Sequence, residues 1–239
     1  MAYDLDEQEK IASLKAWWDK YGNALTSLVL GLAVAFAGYF LWQKYQRGRA
    51  EQAAAAYGDL QQAVAAKDLP RTRELTGVLL DKFGSTAYAE MAAVLAARAN
   101  LDDGDAKTAK AQLEWVVDHA IDPEYRALGR LRLAGLLLDE GDFDAAMKQV
   151  LSSSASELSI PFQASFADRR GDIYTAQDKL DDAKREYTAA LALLESKSDS
   201  RPYANVVQLK LDGLMGGVVA APAAVAPAPA AVKVPEAKP

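Results

Sequence analysis

The apolar positions of the chain are not evenly distributed, and the longest uninterrupted run lies near the N-terminus. Residues 24–42 contain no Asp, Glu, Lys or Arg. A helix of this length, rising about 1.5 Å per residue, spans close to the roughly 30 Å hydrocarbon core of a bilayer. Trp17 and Trp18 precede the run and Trp42 ends it, at the positions where aromatic rings settle at membrane interfaces. We therefore predict a transmembrane helix over residues 24–42.

Two other interpretations of this run are less favoured. A buried core helix of a soluble protein is usually a shorter apolar stretch. A cleavable signal peptide should end in small residues, whereas this run ends in Phe40-Leu41-Trp42. Charge leaves the orientation open, because three basic residues lie on each side. They are Lys10, Lys15 and Lys20 before the run, and Lys44, Arg47 and Arg49 after it.

Small residues form one face of the predicted membrane helix. Gly31, Ala35 and Gly38 are spaced i, i+4 and i+7, so they share a face. Such a face lets a second helix approach closely, although Gly and Ala are also common in membrane helices in general. Both interpretations stay open, and we take this face as a candidate for helix packing.

Beyond the run the apolar pattern becomes helical and repeats every 37 residues. Three copies carry matching residue types in five columns. The columns are Tyr88, Tyr125 and Phe162; Ala97, Ala134 and Gly171; Gly104, Gly141 and Asp178; Ala109, Ala146 and Ala183; and Leu113, Val150 and Tyr187. Each copy is an apolar helix, a Gly or Asp break, and a second apolar helix. This pattern predicts helical hairpins that bury their apolar faces by stacking into a solenoid.

The columns resemble those of tetratricopeptide repeats, in which small residues of the two helices face each other and a glycine forms the turn. The period of 37 departs from the usual of about 34, and Asp178 replaces the turn glycine. An earlier hairpin is expected over residues 50–66 and 71–83. Its column residues Leu60, Lys67 and Thr72 match poorly. A last helix is expected over residues 203–214, and both ends are interpreted as caps.

The sequence thus predicts an all-α protein in five parts. They are a short N-terminal segment (1–23), a transmembrane helix (24–42), a juxtamembrane linker (43–49), a repeat domain (50–214) and a disordered tail rich in Ala and Pro (215–239). Prolines recurring in the tail favour extended chain over a packed core.

Composition excludes several classes of function. The net charge of -6 argues against a nucleic-acid partner, and the chain has no Cys. Its one histidine, His119, has no nucleophile or phosphate-binding loop beside it in sequence, and the paired acidic residues flank turns. We therefore predict no enzymatic activity, no metal, no cofactor and no small-molecule substrate.

Peptide binding is the function that a helical solenoid favours. The first helices of successive hairpins line its concave side. The residues expected there are Met91, Val94, Arg98, Leu128, Leu131, Asp168 and Asp172. Each apolar member could equally be core. As a groove, this set runs from apolar to acidic and would suit a segment with apolar and basic residues.

The layout also resembles the YfgM-type ancillary subunits of the SecYEG translocon. The resemblance is carried by the acidic start 4–9, the juxtamembrane segments 14–18 and 21–25, the Gly-rich span with Tyr39-Phe40-Leu41-Trp42 at its end, and the late segments 167–172 and 207–214. It implies a cytoplasmic N-terminus, a single span in the bacterial inner membrane and a periplasmic repeat domain. The partners it implies are SecYEG, a chaperone of the PpiD type and inner-membrane lipid, with a link to stress-response control. The alternative is an envelope-assembly scaffold for outer-membrane insertion or cell division.

Overall fold

The protein is helical throughout the residues that the computed structural model describes, 3–151, 158–195 and 201–215, apart from short connections. The helices are α1 (Tyr3–Ala65), α2 (Leu69–Phe83), α3 (Ala87–Asp102), α4 (Ala106–His119), α5 (Pro123–Asp139), α6 (Phe143–Leu151), α7 (Ile160–Ala176), α8 (Leu180–Leu194) and α9 (Arg201–Met215). The predicted all-α fold, an apolar N-terminal helix followed by helical hairpins, is confirmed. Residues 216–239 of the predicted tail lie outside the described part.

The chain divides into two compact units, Met1–Gln52 and Ala53–Pro239. The first unit is the N-terminal part of α1. It includes the apolar run, and α1 is one helix long and apolar enough to cross a membrane. Its large apolar side chains are open, with Phe36 72% and Leu41 66% exposed. Open apolar side chains around a whole helix are typical of a segment in contact with lipid.

The described part of the second unit contains four helical hairpins, and their turns recur at a constant interval. Lys67, Gly104, Gly141 and Asp178 lie 37 residues apart, and all four have positive φ, between 57° and 87°. The poor sequence match of the first hairpin is therefore misleading. Lys67 takes the backbone conformation of the turn glycines, and Leu60 and Thr72 are buried like their counterparts. The repeat extends over four hairpins rather than three.

Each turn is closed by the same backbone hydrogen bonds. The residue after the positive-φ position donates its N–H to a carbonyl five residues earlier, as in a Schellman motif. These bonds join Asp68 to Ala63, Asp105 to Asn100, Asp142 to Leu137 and Lys179 to Tyr174, at 2.8–2.9 Å. In the first three turns this residue is an Asp whose side chain also caps the next helix. Lys179 cannot do so, because its side chain is only a donor.

Two facing columns fill the inside of each hairpin with side chains of complementary size. Where the first helix has the larger residue, the second has the smaller, and the reverse. The pairs are Leu60 and Thr76, Ala97 and Leu113, Ala134 and Val150, and Gly171 and Tyr187. The last pair is the most extreme, since a Cβ placed on Gly171 would lie 2.5 Å from Tyr187 Cε1. All eight residues are buried.

Ion pairs also connect neighbouring hairpins. Arg73 on α2 binds Asp105 in the next turn at 2.8 Å, and Lys110 on α4 binds Glu140 in the turn after that at 2.7 Å. Arg73 and Lys110 are again 37 residues apart. The stack ends with α9, whose Val207 and Leu211 are buried with Tyr187 and Leu194 of α8. The last helix thus covers apolar surface that a further hairpin would otherwise bury.

Candidate functional site

The first helices of the second, third and fourth hairpins present equivalent positions side by side. Residues 91, 94, 95 and 98 of α3 share one face by helical spacing, and the same positions recur 37 and 74 residues later in α5 and α7. We call this set the first-helix face. It is built of Met91, Val94, Leu95 and Arg98; Leu128, Leu131, Arg132 and Gly135; and Ser165, Asp168, Arg169 and Asp172.

The apolar members of the first-helix face are largely packed into the core. Val94 is 9% and Leu131 8% exposed, and each belongs to a buried cluster. Leu128 is half-buried and packs against both of those clusters. Met91 is also half-buried. Met91 and Leu128 are therefore the apolar side chains among the predicted groove residues that keep the most accessible surface.

The two acidic members are held by α9. Lys210 Nζ lies 2.8 Å from Asp168 Oδ1 and 2.7 Å from Asp172 Oδ1. Tyr203 donates its hydroxyl to Asp168 Oδ2 at 2.9 Å, and Tyr187 donates to Asp172 Oδ1 at 2.8 Å. Asp168 is 5% exposed. The carboxylates predicted to line a groove thus serve to attach the last helix.

Burial sets the protonation chemistry of this cluster. It raises the pKa of Asp168, as does the neighbouring charge of Asp172, and Lys210 and Tyr203 oppose the shift. Burial also raises the pKa of Tyr187, to which the negative charge of Asp172 adds. The pKa of Tyr203 rises for the same two reasons, with Asp168 as the nearby charge. Both tyrosines therefore stay neutral and act as donors to the carboxylates.

Sequence patterns did not reveal Lys210 and Tyr203 as partners of the acidic residues. They lie 42 and 35 residues beyond Asp168, on a helix outside the 37-residue columns. One signal was available in retrospect. Tyr203, Val207, Lys210 and Leu214 are spaced i, i+4, i+7 and i+11, so Lys210 shares the face by which α9 packs on the domain.

The three arginines of the first-helix face differ in their partners. Arg98 Nε donates to Asp102 Oδ1 at 2.8 Å within α3, and both side chains are more than half exposed. Arg169 Nη1 lies 3.4 Å from Asp172 Oδ2. Arg132 is half-buried and makes no ion pair with any described carboxylate. Burial and the positive charge of Arg98 both lower its pKa.

A buried carboxyl group holds the connection between the second and third hairpins. Glu90 is 1% exposed, and its Oε1 accepts hydrogen bonds from the backbone N–H of Ile121 at 2.6 Å and of Asp122 at 3.4 Å. Its Oε2 is buried without a hydrogen-bond partner. Burial raises the pKa of Glu90, and the two backbone donors oppose that shift. The role of this residue is structural, and sequence analysis did not single it out.

The candidate packing face of the membrane helix is open. A Cβ added at Gly31 or Gly38 would meet no atom within 4 Å, and Ala35 between them is exposed. A bulky side chain would therefore be tolerated in the isolated helix. Its cost would appear only where a second helix packs against this face.

His119 occupies a simple surface environment. It lies in the last turn of α4, where its ring stacks on Trp115 with centroids 4.9 Å apart. Among the described residues, no group of three or more His, Asp or Glu side chains is arranged to hold a metal ion. The first-helix face and the open membrane face are the surfaces whose chemistry remains to be assigned.

Several proteins of known name are similar in sequence to nearly the whole of this chain. A chain from Neisseria gonorrhoeae named "Ancillary SecYEG translocon subunit" is 28% identical and is covered in full by 90% of this chain. A relative of the same name from Haemophilus influenzae is 26% identical with the same coverage. One from Escherichia coli is 26% identical over 87% of this chain and 97% of its own length. These matches confirm the resemblance to ancillary SecYEG translocon subunits.

The match to a family model is equally extensive. The model described as "Tetratricopeptide repeat-like domain" covers residues 15–216, which include the apolar run, the four hairpins and α9. With both the recurring turns and the family model in agreement, the chain belongs to the tetratricopeptide repeat-like domain family.

Proposed function

We propose that this protein is a non-enzymatic, membrane-anchored ancillary subunit of the SecYEG translocon. The observation that carries the proposal is the extent of the match. Relatives of that name are covered nearly from end to end, so the similarity includes the membrane helix together with the repeats. A chain that shared only generic helical hairpins would match over the repeat region alone.

In this proposal the two units of the chain have different roles. The apolar run of α1 anchors the chain in the inner membrane, in contact with lipid. Its open face of Gly31, Ala35 and Gly38 packs laterally against a helix of the translocon, because small residues allow close backbone approach. The repeat unit presents the first-helix face to soluble partners, as helical solenoids commonly do.

The finer parts of the proposal concern orientation and further partners. The N-terminal residues 1–23 lie in the cytoplasm and the repeat unit in the periplasm. There the repeat unit binds a chaperone of the PpiD type or export clients, and the protein contributes to stress-response regulation. The resemblance to YfgM-type subunits supports this orientation and these partners. The basic residues on the two flanks of the apolar run do not, because they are equal in number. The alternative is an envelope-assembly scaffold, for which the same solenoid would be suitable.

A crosslinking pull-down distinguishes the two candidates. The full-length protein is captured from detergent-solubilised inner membranes after crosslinking in cells, and SecY and SecE are measured in the eluate. Recovery of SecYEG at a level close to that of the bait is the expected result. Recovery of division or outer-membrane assembly proteins without SecYEG would contradict the proposal and favour the alternative.

A paired variant assigns recruitment to the membrane helix. Gly31→Leu with Gly38→Leu should reduce SecYEG recovery severalfold, because two bulky side chains prevent close packing. Ala33→Leu with Ala37→Leu is the matched control, since it adds the same bulk at two exposed positions of the helix away from the small face. Equal recovery with both pairs would show that this face is not used.

A further inference from the structure

The charge of the first-helix face is not the one that its sequence suggests. Its two acidic members both form an ion pair with Lys210 from α9, Asp172 forms a second one with Arg169, and Tyr203 and Tyr187 donate their hydroxyls to them. A basic segment arriving from outside would have to displace that helix. The carboxylates of α7 therefore already have cationic partners within the protein. A charged side chain without such a partner lies elsewhere on the face.

That side chain is Arg132, in the middle of the first-helix face. Within the described ranges no carboxylate oxygen lies within 4.0 Å of its guanidinium. Arg98 in α3 is the charged group that acts on it, and it is also a cation. On the other side, Arg169 Cζ lies 3.4 Å from where a Cβ on Gly135 would be, one turn after Arg132. Three guanidinium groups thus follow one another across α3, α5 and α7.

The first-helix face carries a local excess of positive charge. The face and the side chains bound to it include four cations, Arg98, Arg132, Arg169 and Lys210, and three carboxylates, Asp102, Asp168 and Asp172. The sum is +1, whereas the whole chain carries -6. A half-buried guanidinium with a cation as its neighbour is a costly arrangement unless a ligand supplies the missing anion.

The neighbouring side chains define the rest of the ligand. Leu128 precedes Arg132 by one turn and is half-buried, and Met91 at the equivalent position of α3 is half-buried too. The centre of the face thus combines accessible apolar surface with a planar guanidinium that has no described ion-pair partner and can donate two parallel hydrogen bonds to a carboxylate.

We propose that the first-helix face binds a peptide segment of a partner protein that places an Asp or Glu side chain on Arg132 and apolar side chains against Met91 and Leu128. The inference deepens the proposed function, on which it rests, and it reverses the sign of charge that the sequence suggested for the ligand.

The test measures binding of three short fluorescent peptides to the full-length protein in detergent micelles by fluorescence anisotropy. Each has leucines flanking two central residues, which are Glu, Gln or Lys, and each has an amidated C-terminus so that only side-chain carboxylates are compared. The Glu peptide should bind about tenfold more tightly than the Gln peptide, and the Lys peptide should bind most weakly. Added salt should lower the affinity of the Glu peptide more than that of the other two peptides.

Substitutions of Arg132 test whether this residue causes the preference for the Glu peptide. Arg132→Gln should abolish the preference for Glu over Gln, and Arg132→Glu should reverse it in favour of Lys. Arg71→Gln, at an exposed arginine of α2 paired with Glu74, is the matched control and should leave the preference intact. Circular dichroism confirms that each variant is folded.

Three outcomes would overturn the inference: equal binding of all peptides, tighter binding of the Lys peptide, or a preference that survives Arg132→Gln. None of them affects the SecYEG pull-down, which tests the proposed function separately. A negative pull-down with an intact preference for Glu would refute the translocon assignment and leave the acidic-peptide site standing.

Discussion

At the scale of single residues, Gly171 shows how side-chain size is adjusted within one hairpin. A Cβ at this position would lie 2.5 Å from Tyr187 Cε1 and 2.6 Å from Cδ1. The ring is buried, and its hydroxyl is tied to Asp172, so it cannot move aside freely. Glycine is otherwise an unfavourable residue inside a helix, by about 1 kcal/mol relative to alanine. The clash and the helix propensity therefore act in opposite directions.

We expect Gly171→Ala to lower the free energy of unfolding by roughly 1 kcal/mol, because overpacking of about 1–3 kcal/mol exceeds the gain in propensity. In a Tyr187→Leu background the same change should become stabilising, since the hairpin then has the Ala and Leu pair of residues 97 and 113. Urea unfolding followed by circular dichroism measures both effects. Gly77→Ala, where a Cβ meets nothing within 4 Å, is the control and should stabilise. An unchanged sign in the Tyr187→Leu background would refute the size-pairing argument.

Glu90 is the second informative residue, because its carboxyl group is buried beside the backbone of Ile121 and Asp122. Burial raises the pKa of Glu90 above its ordinary value of 4.5. The folded state then binds more protons than the unfolded state at pH values from the ordinary pKa up to the raised one. The contribution of Glu90 to stability is thus largest in acid and falls as the pH rises through that window.

Glu90→Gln should remove this dependence while keeping an acceptor for the two N–H groups. The free energy of unfolding of the variant, relative to the wild type, should therefore increase as the pH rises above the ordinary pKa of the Glu90 carboxyl group. Urea titrations at several pH values give the difference. Glu114→Gln is a matched control on the exposed surface of α4 and should show a much smaller trend. A difference that is constant with pH would mean that the pKa of Glu90 is the same in both states.

At the scale of elements, α9 depends on one cation for its polar attachment. Lys210 contacts both Asp168 and Asp172, and its ammonium group also lies 5.7 Å from the ring centroid of Tyr187. Its removal would leave two carboxylates close together, with the hydroxyl donors of Tyr203 and Tyr187 and, on Asp172 alone, the guanidinium of Arg169 at 3.4 Å. Breaking a buried ion pair on one side is more costly than never forming it, because the remaining charge stays desolvated.

We expect Lys210→Met to destabilise the repeat unit by about 2–4 kcal/mol near neutral pH. Without the lysine the pKa of Asp168 should rise further, so the loss should be smaller at acidic pH, where this carboxyl is protonated. Lys184→Met, at an exposed lysine of α8, provides the control. Unfolding by urea at two pH values tests both statements, and a loss that is equal at both would argue against protonation of Asp168.

Sequence patterns predicted the elements well where the structure depends on local signals. The apolar run, the turn residues Gly104 and Gly141, and the facing columns could all be found by periodicity. The first hairpin was harder, because Lys67 takes a conformation that its side chain does not favour. The roles of Asp168, Asp172 and Arg132 could not be found at all, since they depend on whether a distant helix supplies a partner.

At the scale of the whole molecule, orientation is the property that the charges on the flanks leave open. The absence of cysteine from the chain allows a direct measurement. Ser85→Cys introduces a thiol at an exposed position between α2 and α3, and Ser13→Cys does so before the apolar run. A membrane-impermeant maleimide is applied to cells whose outer membrane has been permeabilised.

The proposed orientation requires that Ser85→Cys is labelled in these cells and that Ser13→Cys is labelled only after the inner membrane is lysed. The wild-type chain, which has no thiol, gives the background. Labelling of the N-terminal position alone would place the repeat unit in the cytoplasm and contradict the periplasmic assignment.

The constant interval between turns has a consequence for how such a chain can change in length. Because Gly104 and Gly141 have the same conformation and the same closing hydrogen bonds, deleting residues 104–140 would join Asp103 to Gly141 and recreate an equivalent turn. The gene can therefore lose or duplicate one block of 37 codons without altering the junctions that remain. The length of the repeat unit is in this sense a quantity that evolution can change in steps of one whole hairpin.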